Sequence, residues 1–335
     1  MDPCTQGILG ASLATCFGNK KNMRFALICG TIGGLSPDLD VLIRSSSDPL
    51  LTIDYHRNFT HSIFFLPFGS LTVSILLFFF LKNSLHFKNI FAFVFLGMLT
   101  HGFLDACTTY GTTLFWPLSN KRISMNIISI VDPVFTLTLI IFLFFCIKKK
   151  SAKFSRFGIL FSIFYLLYNF SKNQMVNKYV LNLANQRSHQ IERLFVKPTI
   201  GNNILWRSIY QYDGKYFVDA VYMPLTKKAK LITGTSTKVI DKNTIFSFSK
   251  ESEQRNDILR FSFFANDYIY IYPDLDYIIA DLRYGTLPND LNSLWGIKVK
   301  PENENQHVDF LSLRNFNTDF YKDFWNMLSG KHPPD

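Results

Sequence analysis

The feature that most constrains this chain is an uncharged run of 19 residues from Ile63 to Leu81. A helix of this length and apolarity is long enough to cross the roughly 30 Å hydrocarbon core of a bilayer. Other apolar runs occur throughout the first half of the chain, and short clusters of Lys and Arg separate them. The sequence therefore predicts a polytopic α-helical membrane domain over residues 1–170, with about four to five spans and a short N-terminal helix.

The distribution of charge predicts the orientation of this domain. Residues 1–170 carry fourteen Lys and Arg, seven Asp and no Glu. Because positive charge concentrates in short cytoplasmic loops, we assign three basic clusters to the cytoplasm: Lys20/Lys21/Arg24, Lys82/Lys88 and Lys148–Arg156. This topology predicts a multi-pass membrane protein with its carboxylates and its C-terminal domain on the outer side. The basic residues lie between apolar runs instead of on one soluble face, so no nucleic-acid partner is expected.

The pattern changes in the second half of the chain. We expect an amphipathic helical linker over 171–203 and a soluble, extracytoplasmic, antiparallel β-rich domain over 204–335. A hairpin is predicted to turn at Asp213-Gly214. The aromatic and β-branched stretch ILRFSFFANDYIYIYPDLDYIIADLRYG predicts further strands, with turns near Ala265–Asp267 and Pro273–Asp274. A helix near Asp319–Leu328 is expected to close the domain.

Candidate metal ligands gather at the ends of the apolar runs. The stretch SPDLDVLIRSSSDPLLTIDYHRNFTHS, from Ser36 to Ser62, supplies several of them, and a later helix carries His101 and Asp105 on one face at i, i+4 spacing. His and Asp side chains in such a group are typical of hydrolytic sites in which Zn²⁺ or Mn²⁺ activates water and neutralises an oxyanion. We predict these metal ligands: Asp38, Asp40, His56, His61, His101, Asp105 and Asp132.

Other residues of the same segments are candidates for catalytic roles. We assign Arg57, Asp40 and Tyr110 to the catalytic group, with Arg57 holding phosphate charge. Thr60 and Ser62 are candidates for orienting the ligands.

Simpler roles remain open for several of these residues. A histidine such as His101 is often an interhelical hydrogen-bonding residue in membrane proteins. Asp132 precedes Pro133 and is suited to cap a helix. Arg57 is also able to extend toward lipid headgroups. The placement of all the carboxylates on one predicted membrane face favours the metal site, because ionisable groups at membrane depth are costly without a partner.

The motifs together resemble a known family. MDPCTQGILGA, SPDLD, HRNFTHS, HGFLDACTTYGTTLFWPLSNKR and IVDPVFTL occur here in the order seen in the YdjM family of bacterial inner-membrane metal-dependent hydrolases. PTIGNNILWR and DLRYG resemble the extra C-terminal domain of its longer members, so the resemblance runs from Met1 to about Trp295.

The resemblance implies a distant kinship with the zinc-dependent phospholipase C and single-strand nuclease superfamily. On that kinship, His101 and Asp105 match an H-x-x-x-D ligand pair, His61 matches a single ligand, and Asp38 or Asp40 matches a bridging carboxylate. Asn58 stands where Gly is more usual, which affects the loop but not the ligands. The second H-x-x-x-E pair of that superfamily is missing, which counts against a full trinuclear site.

These observations predict a membrane-bound metal-dependent hydrolase with an outward-facing, dinuclear site. The expected substrate is a phosphoester of a membrane lipid or a lipid-linked phosphate. The alternative is a non-catalytic membrane protein whose metal or polar cluster is structural and whose β domain binds a partner. A divalent-ion transporter would need ligands near mid-membrane, and their concentration at one face argues against it.

Overall fold

The computed structural model describes residues 1–273 and 275–331, which form two compact units. The first unit contains Met1–Leu42, Tyr55–Lys172 and Ile200–Asn202. The second contains Ile43–Asp54, Asn173–Thr199 and the described residues from Asn203 onward. The domain boundaries drawn from the sequence stay a prediction.

Helices dominate the N-terminal half, as the sequence predicted. Residues 36–42 continue α2 as a 3₁₀ helix, and residues 59–61 form a 3₁₀ turn. The α-helices of this half are Pro3–Thr15 (α1), Met23–Leu35 (α2), Leu51–Tyr55 (α3), Leu66–Leu81 (α4), Phe87–Cys107 (α5), Pro133–Lys149 (α6) and Ala152–Gln186 (α7).

The number of candidate membrane spans is smaller than the four to five predicted. Among the described residues, Met23–Leu42 and Phe87–Cys107 are long and apolar enough to cross a bilayer. A third candidate is a pair of helices, Leu51–His61 and Leu66–Leu81, bent by 89° at the break between them. Helices α1 and α6 have only 13 and 17 residues and are shorter than these two candidates, which have 20 and 21 residues. The higher count is therefore not supported.

Glycines permit close packing of α1, α2 and α5 in the core of the first unit. A Cβ atom on Gly97 would lie 2.3 Å from the carbonyl oxygen of Gly30. Ala26, Cys29 and Val94 fill the surrounding core. Small residues of this kind let helix backbones approach each other, which is how helices associate where the surroundings are also apolar.

The second unit contains two antiparallel sheets, consistent with the predicted β-rich fold. The first sheet has the order β1-β2-β3-β4 and the second has the order β5-β6-β7-β8. The predicted hairpin is confirmed, because β2 and β3 are joined at Asp213 and Gly214, which both have positive φ. The strands are Arg193–Pro198 (β1), Leu205–Tyr212 (β2), Lys215–Tyr222 (β3), Lys230–Lys238 (β4), Ile269–Ile271 (β5), Ile278–Asp281 (β6), Trp295–Lys298 (β7) and Asp309–Ser312 (β8).

The central strands of the first sheet, β2 and β3, are buried on both faces: successive side chains point to opposite sides, and most of them are buried. Trp206 and Tyr210 of β2 pack with Val180, in the C-terminal part of α7. Ile209, on the other face of β2, packs with Tyr270 of the second sheet. The second unit therefore has three layers: the end of α7, the first sheet and the second sheet.

Two segments of this half differ from the sequence prediction. Helix α7 ends at Gln186, followed by Ser188 in the left-handed region, and β1 occupies part of the expected helical linker. Part of the predicted strand region, Glu253–Phe264, forms helix α8. Ser252 caps α8, and the buried positions repeat with a helical period, which outweighs the aromatic composition. The closing helix is confirmed as Thr318–Leu328 (α9). The predicted turn at Pro273–Asp274 includes Asp274, which lies outside the described residues.

Candidate metal centre

Helix α5 supplies two ligands from one face, His101 and Asp105, and both side chains are fully buried. The predicted i, i+4 spacing therefore places them on the same side of the helix. His101 Nδ1 lies 2.6 Å from the carbonyl oxygen of Gly34 at the end of α2. A carbonyl accepts only from a protonated nitrogen, so this bond places a proton on Nδ1, and Nε2 faces the centre.

The 3₁₀ helix after α2 places Asp38 and Asp40 near His61, which lies in the 3₁₀ turn 59–61. Gly102 makes room for this turn, because a Cβ there would lie 2.5 Å from the His61 carbonyl oxygen. Thr60 Oγ1 donates to Asp40 Oδ2 at 2.7 Å and lies 2.9 Å from His61 Nδ1. Thr60 Oγ1 therefore accepts from His61 Nδ1, and His61 Nε2 faces the centre.

Four ligand atoms meet at this point, and all lie within 4.8 Å of one another. They are Asp38 Oδ1, His61 Nε2, His101 Nε2 and Asp105 Oδ2. His61 Nε2 is 3.4 Å from Asp38 Oδ1 and 3.3 Å from Asp105 Oδ2. His101 Nε2 is 3.3 Å and 3.5 Å from the same two oxygens. The two Nε2 atoms are 2.9 Å apart.

A bound cation would supply the partner that two of these ligand atoms lack. Asp38 Oδ1 and Asp105 Oδ2 are buried but make no hydrogen bond. Each lies 3.3–3.5 Å from both imidazole Nε2 atoms. Buried acceptors without a donor are costly, and a divalent cation would satisfy all four lone pairs at once. The donor set of two imidazoles and two carboxylates suits such an ion, and these residues therefore form a possible metal-binding cluster.

A second possible group shares Asp38 with the first. It consists of Asp38, Asp40 and His56. His56 Nδ1 lies 2.7 Å from Asp40 Oδ1. Asp38 and His56 retain side-chain exposures of 21% and 18%, whereas the side chains of Asp40, His61 and His101 are fully buried. The cluster is therefore accessible from the side of Asp38 and His56.

Arg57 is buried and interacts with the ligands themselves. Its backbone N–H donates to Asp40 Oδ2 at 2.9 Å, and its Nε lies 3.0 Å from Asp105 Oδ2. Its Nη1 donates to Thr108 Oγ1 at 3.1 Å. The residue has a φ of 61°, and its carbonyl oxygen accepts from the backbone N–H of Thr113. These contacts fix the loop between the two acidic groups.

The predicted residues Tyr110 and Ser62, together with Arg122, surround this loop. The Tyr110 ring lies 4.7 Å from the Arg57 guanidinium carbon and 5.5 Å from the His56 ring. Arg122 Nη2 donates to the His56 carbonyl oxygen at 2.9 Å. Ser62 Oγ donates to the carbonyl oxygen of Trp116. These groups hold the His56 and His61 loop in place.

Asp132 is the predicted ligand that the structure does not bring to the centre. It caps α6, accepting from the Phe135 N–H at 3.0 Å, and it accepts from the Tyr165 hydroxyl at 2.9 Å. It belongs to none of the ligand groups found among the described residues. The expectation that Asp132 binds metal is corrected to a capping role, because its oxygens are occupied by the N-terminus of its own helix and by Tyr165.

Sequence reasoning missed the groups that hold Asp105 from the other side. Gln6 Nε2 donates to Asp105 Oδ1 at 2.9 Å, and the amino group of Met1 pairs with the same oxygen. A signal for Gln6 was present, since it is an amide within the apolar run that forms α1. The Gly34 carbonyl left no signal, because every residue has one.

The second unit contains a further acidic cluster that the sequence did not indicate. Arg260 of α8 lies among three carboxylates, within 2.8 Å of an oxygen of each: Asp48, Asp54 and Asp257. Asp257 Oδ2 also accepts from His307 Nδ1 at 2.9 Å. Asp48, Asp257 and His307 satisfy the spacing of a metal group, but here a guanidinium already donates to the acids.

The fold and the cluster define a helical membrane protein with buried Asp and His side chains that could bind a metal. The model of the YdjM inner membrane protein family matches residues 1–176, and the chain belongs to that family. This confirms the resemblance at the family level and, with the two candidate spans, supports a location in the inner membrane. It leaves the kinship with the phospholipase C and nuclease superfamily undecided.

Other comparisons add one relative. The chain is 29% identical over 140 residues to the uncharacterized protein YfhP of Bacillus subtilis (strain 168), an alignment that covers 40% of this chain and 42% of that protein. The chain thus spans less than half the length of this curated relative. No solved structure matches the chain significantly.

Proposed function

We propose that this protein is a membrane-bound metal-dependent hydrolase that cleaves a phosphoester of a membrane lipid or a lipid-linked phosphate at the outer face of the inner membrane. The observation that carries the proposal is the arrangement of the four ligand atoms, with two buried carboxylate oxygens that accept no hydrogen bond. A purely structural polar cluster would be expected to pair these oxygens with donors.

The spacing of the ligand atoms favours zinc, with manganese as the second choice. Ligand atoms about 2.0–2.2 Å from a tetrahedral Zn²⁺ lie about 3.3–3.6 Å from one another. The four nitrogen–oxygen distances, 3.3–3.5 Å, agree with this range, and the nitrogen–nitrogen distance of 2.9 Å is somewhat shorter. Asp38 belongs to both ligand groups, which supports a dinuclear site with Asp38 as the shared carboxylate.

The roles of the individual residues follow from their contacts. Asp38, His61, His101 and Asp105 would hold the first ion, and Asp38, Asp40 and His56 the second. When bound, such ions supply Lewis acidity for ester hydrolysis. Asp40 and Thr60 orient His61 through its Nδ1, as the Gly34 carbonyl orients His101. Arg57 fixes the position of Asp105 and carries positive charge beside the ligands.

Access to the ligand cluster supports catalysis over a structural role. A structural metal site is closed by its protein ligands, whereas a catalytic one keeps a position open. The four-atom group would fill a tetrahedral ion, whereas the Asp38–Asp40–His56 group supplies three residues, and its Asp38 and His56 are partly exposed. The open position would therefore be at the second ion. The multi-pass, outward-facing topology remains part of the proposal, on the strength of the basic clusters assigned to the cytoplasm.

A direct test uses purified protein reconstituted in phosphatidylglycerol vesicles with Zn²⁺ or Mn²⁺ added. We expect release of phosphate or of the phosphorylated headgroup, and a decrease of more than about 100-fold in His101→Ala, because even the loss of an outer partner of a ligand costs 10–100-fold. Bound metal without hydrolysis of phosphatidylglycerol, phosphatidylethanolamine or lipid-linked phosphate substrates would favour the non-catalytic alternative.

A further inference from the structure

An apolar groove of about 300 Å³ lies in the first unit between α1, α5, α6 and α7. Leu104 and Phe135 form part of its lining and are fully buried, whereas Leu99, Phe103 and Ile163 are exposed at its edges. Its volume is at the lower end of the range of about 300–1,000 Å³ found for ligand pockets. The groove is therefore large enough for a slender ligand and accessible from its surroundings.

The chemistry of the lining restricts the occupant to hydrocarbon. The two hydroxyl side chains in the lining, Thr100 and Ser162, donate to backbone carbonyls of their own helices, those of Gly97 and Gly158, at 2.8 Å and 3.0 Å. The remaining lining residues are aliphatic or aromatic. A polar ligand would lose its hydration there without gaining a partner, whereas a hydrocarbon chain would lose nothing.

One end of the groove lies near Gln6, which contacts the Asp105 oxygen that faces away from the other ligand atoms. Gln6, Leu9 and Leu13 are spaced i, i+3 and i+7 and share one face of α1. Gln6 contacts Asp105, and the other two residues line the groove. At 1.5 Å per residue, the lining on α1 extends from about 4.5 Å to about 10.5 Å beyond Gln6 along the helix axis. Leu104, the residue before Asp105, also lines the groove.

We propose that the groove binds one acyl chain of a phospholipid, whose headgroup then lies beyond the Gln6 end of the groove, beside Asp105. The assignment of this lipid as substrate rests on the proposed function. A lipid chain fits this groove for two reasons: the lining is apolar, and the groove lies in the membrane-embedded unit. In addition, one end of the groove lies near Asp105, which belongs to the proposed phosphoesterase site. The groove therefore selects amphiphilic phosphoesters over water-soluble ones.

The test of binding compares two substitutions on the same helix. Ile163 of α7 lines the groove, whereas the similarly exposed Leu160, one turn earlier, does not. Protein is expressed, exchanged into detergent, and examined by native mass spectrometry for retained phosphatidylglycerol. We expect one retained lipid in the wild type and in Leu160→Trp, and its loss in Ile163→Trp and in Leu99→Trp, which fills the groove from the α5 side. Equal retention in all four proteins, or none in the wild type, would overturn the proposal.

A second measurement separates this inference from the proposed function. Hydrolysis of phosphatidylglycerol is compared with that of bis(p-nitrophenyl) phosphate, which has no acyl chain. In Ile163→Trp we expect the ratio of lipid to soluble-ester activity to fall about tenfold, the effect of withdrawing about two methylene groups from a buried site. An unchanged ratio in an active enzyme overturns the acyl-chain site. Retention of the lipid that depends on Ile163, without hydrolysis of either ester, supports the groove and refutes the hydrolase.

Discussion

Two clusters of acidic side chains, one in each unit, gather carboxylates from distant parts of the chain and satisfy them differently. In the second unit, Arg260 donates to oxygens of Asp48, Asp54 and Asp257, and each acid has a hydrogen-bond partner. In the first unit, Arg57 and the Met1 amino group lie beside Asp105, yet Asp105 Oδ2 and Asp38 Oδ1 accept no hydrogen bond.

The comparison shows why charge alone does not identify a metal site. Both clusters contain His and Asp at ligand spacing. In the Arg260 cluster a guanidinium, with its five donors in a fixed geometry, supplies what the acids need. In the Asp38–Asp105 cluster, Arg57 Nε lies 3.0 Å from Asp105 Oδ2 as an ion pair, but neither this oxygen nor Asp38 Oδ1 accepts a hydrogen bond, and the two imidazole Nε2 atoms lie beside them. The unsatisfied lone pairs, more than the number of acids, point to a cation.

The largest expected effect contrasts one histidine from each cluster. His101→Ala should reduce bound metal to a small fraction of the wild-type content, because it removes a ligand of the four-atom group. His307→Ala should leave the metal content unchanged, since Arg260 already donates to all three acids of its cluster. Elemental analysis of the purified proteins measures both. Equal metal content in His101→Ala and wild type would remove the basis for the comparison.

Next in size is the loss of the guanidinium itself. Arg260→Met leaves three carboxylates close together, with Asp257 fully buried. We expect the second unit to be destabilised by about 3–5 kcal/mol, as is typical when one partner of a buried ion pair is removed. Thermal or denaturant unfolding of the full-length protein measures this. Arg255→Met on the same helix is the control, because no ion pair is found for Arg255 among the described residues, and losses of the same size in both variants would contradict the prediction.

Removal of the ion should destabilise the first unit alone, by somewhat less than Arg260→Met destabilises the second unit. A ligand present at about 100 times its dissociation constant stabilises a folded state by about 3 kcal/mol. Chelation should therefore lower the unfolding temperature of wild-type protein, and restoring Zn²⁺ should reverse the change. His101→Ala should not respond to the chelator. A wild-type protein that is indifferent to chelation would argue for a cluster that is stable without metal.

The smallest effect concerns acid sensitivity of the second unit. Burial, the largest single influence, would raise the pKa of Asp48, but the hydrogen bonds from Arg260 and the Leu50 N–H and the charge of Arg260 together lower this pKa below its usual value. The folded state then binds fewer protons than the unfolded state, so the stabilisation is present above about pH 4, the unfolded pKa, and is lost as the pH falls below it. Solvent screens this partly exposed pair, so we expect less than about 1 kcal/mol. Unfolding measured between pH 6 and pH 3 should show a smaller loss in Asp48→Asn than in wild type.

The sequence alone determined the features that depend on local pattern. Apolar runs specify helices and membrane location, and two positive-φ residues at Asp213-Gly214 specify the hairpin. The i, i+4 spacing places His101 and Asp105 on one face, because a helix fixes the direction of side chains four residues apart. The aromatic stretch before Ala265 was misjudged, since composition was given more weight than the helical period of its buried residues.

The tertiary structure alone decided which acids meet. Asp38 follows an apolar helix and Asp132 precedes one. Asp132 caps α6, whereas Asp38 lies beside the imidazoles of His61 and His101. The pairing of Arg260 with Asp48 joins residues 212 positions apart in the chain. Such contacts depend on tertiary packing, and in the first unit close approach at Gly97 and Gly102 brings α2 and the 59–61 turn against α5. Local spacing determines which side chains share a face, and packing determines what that face meets.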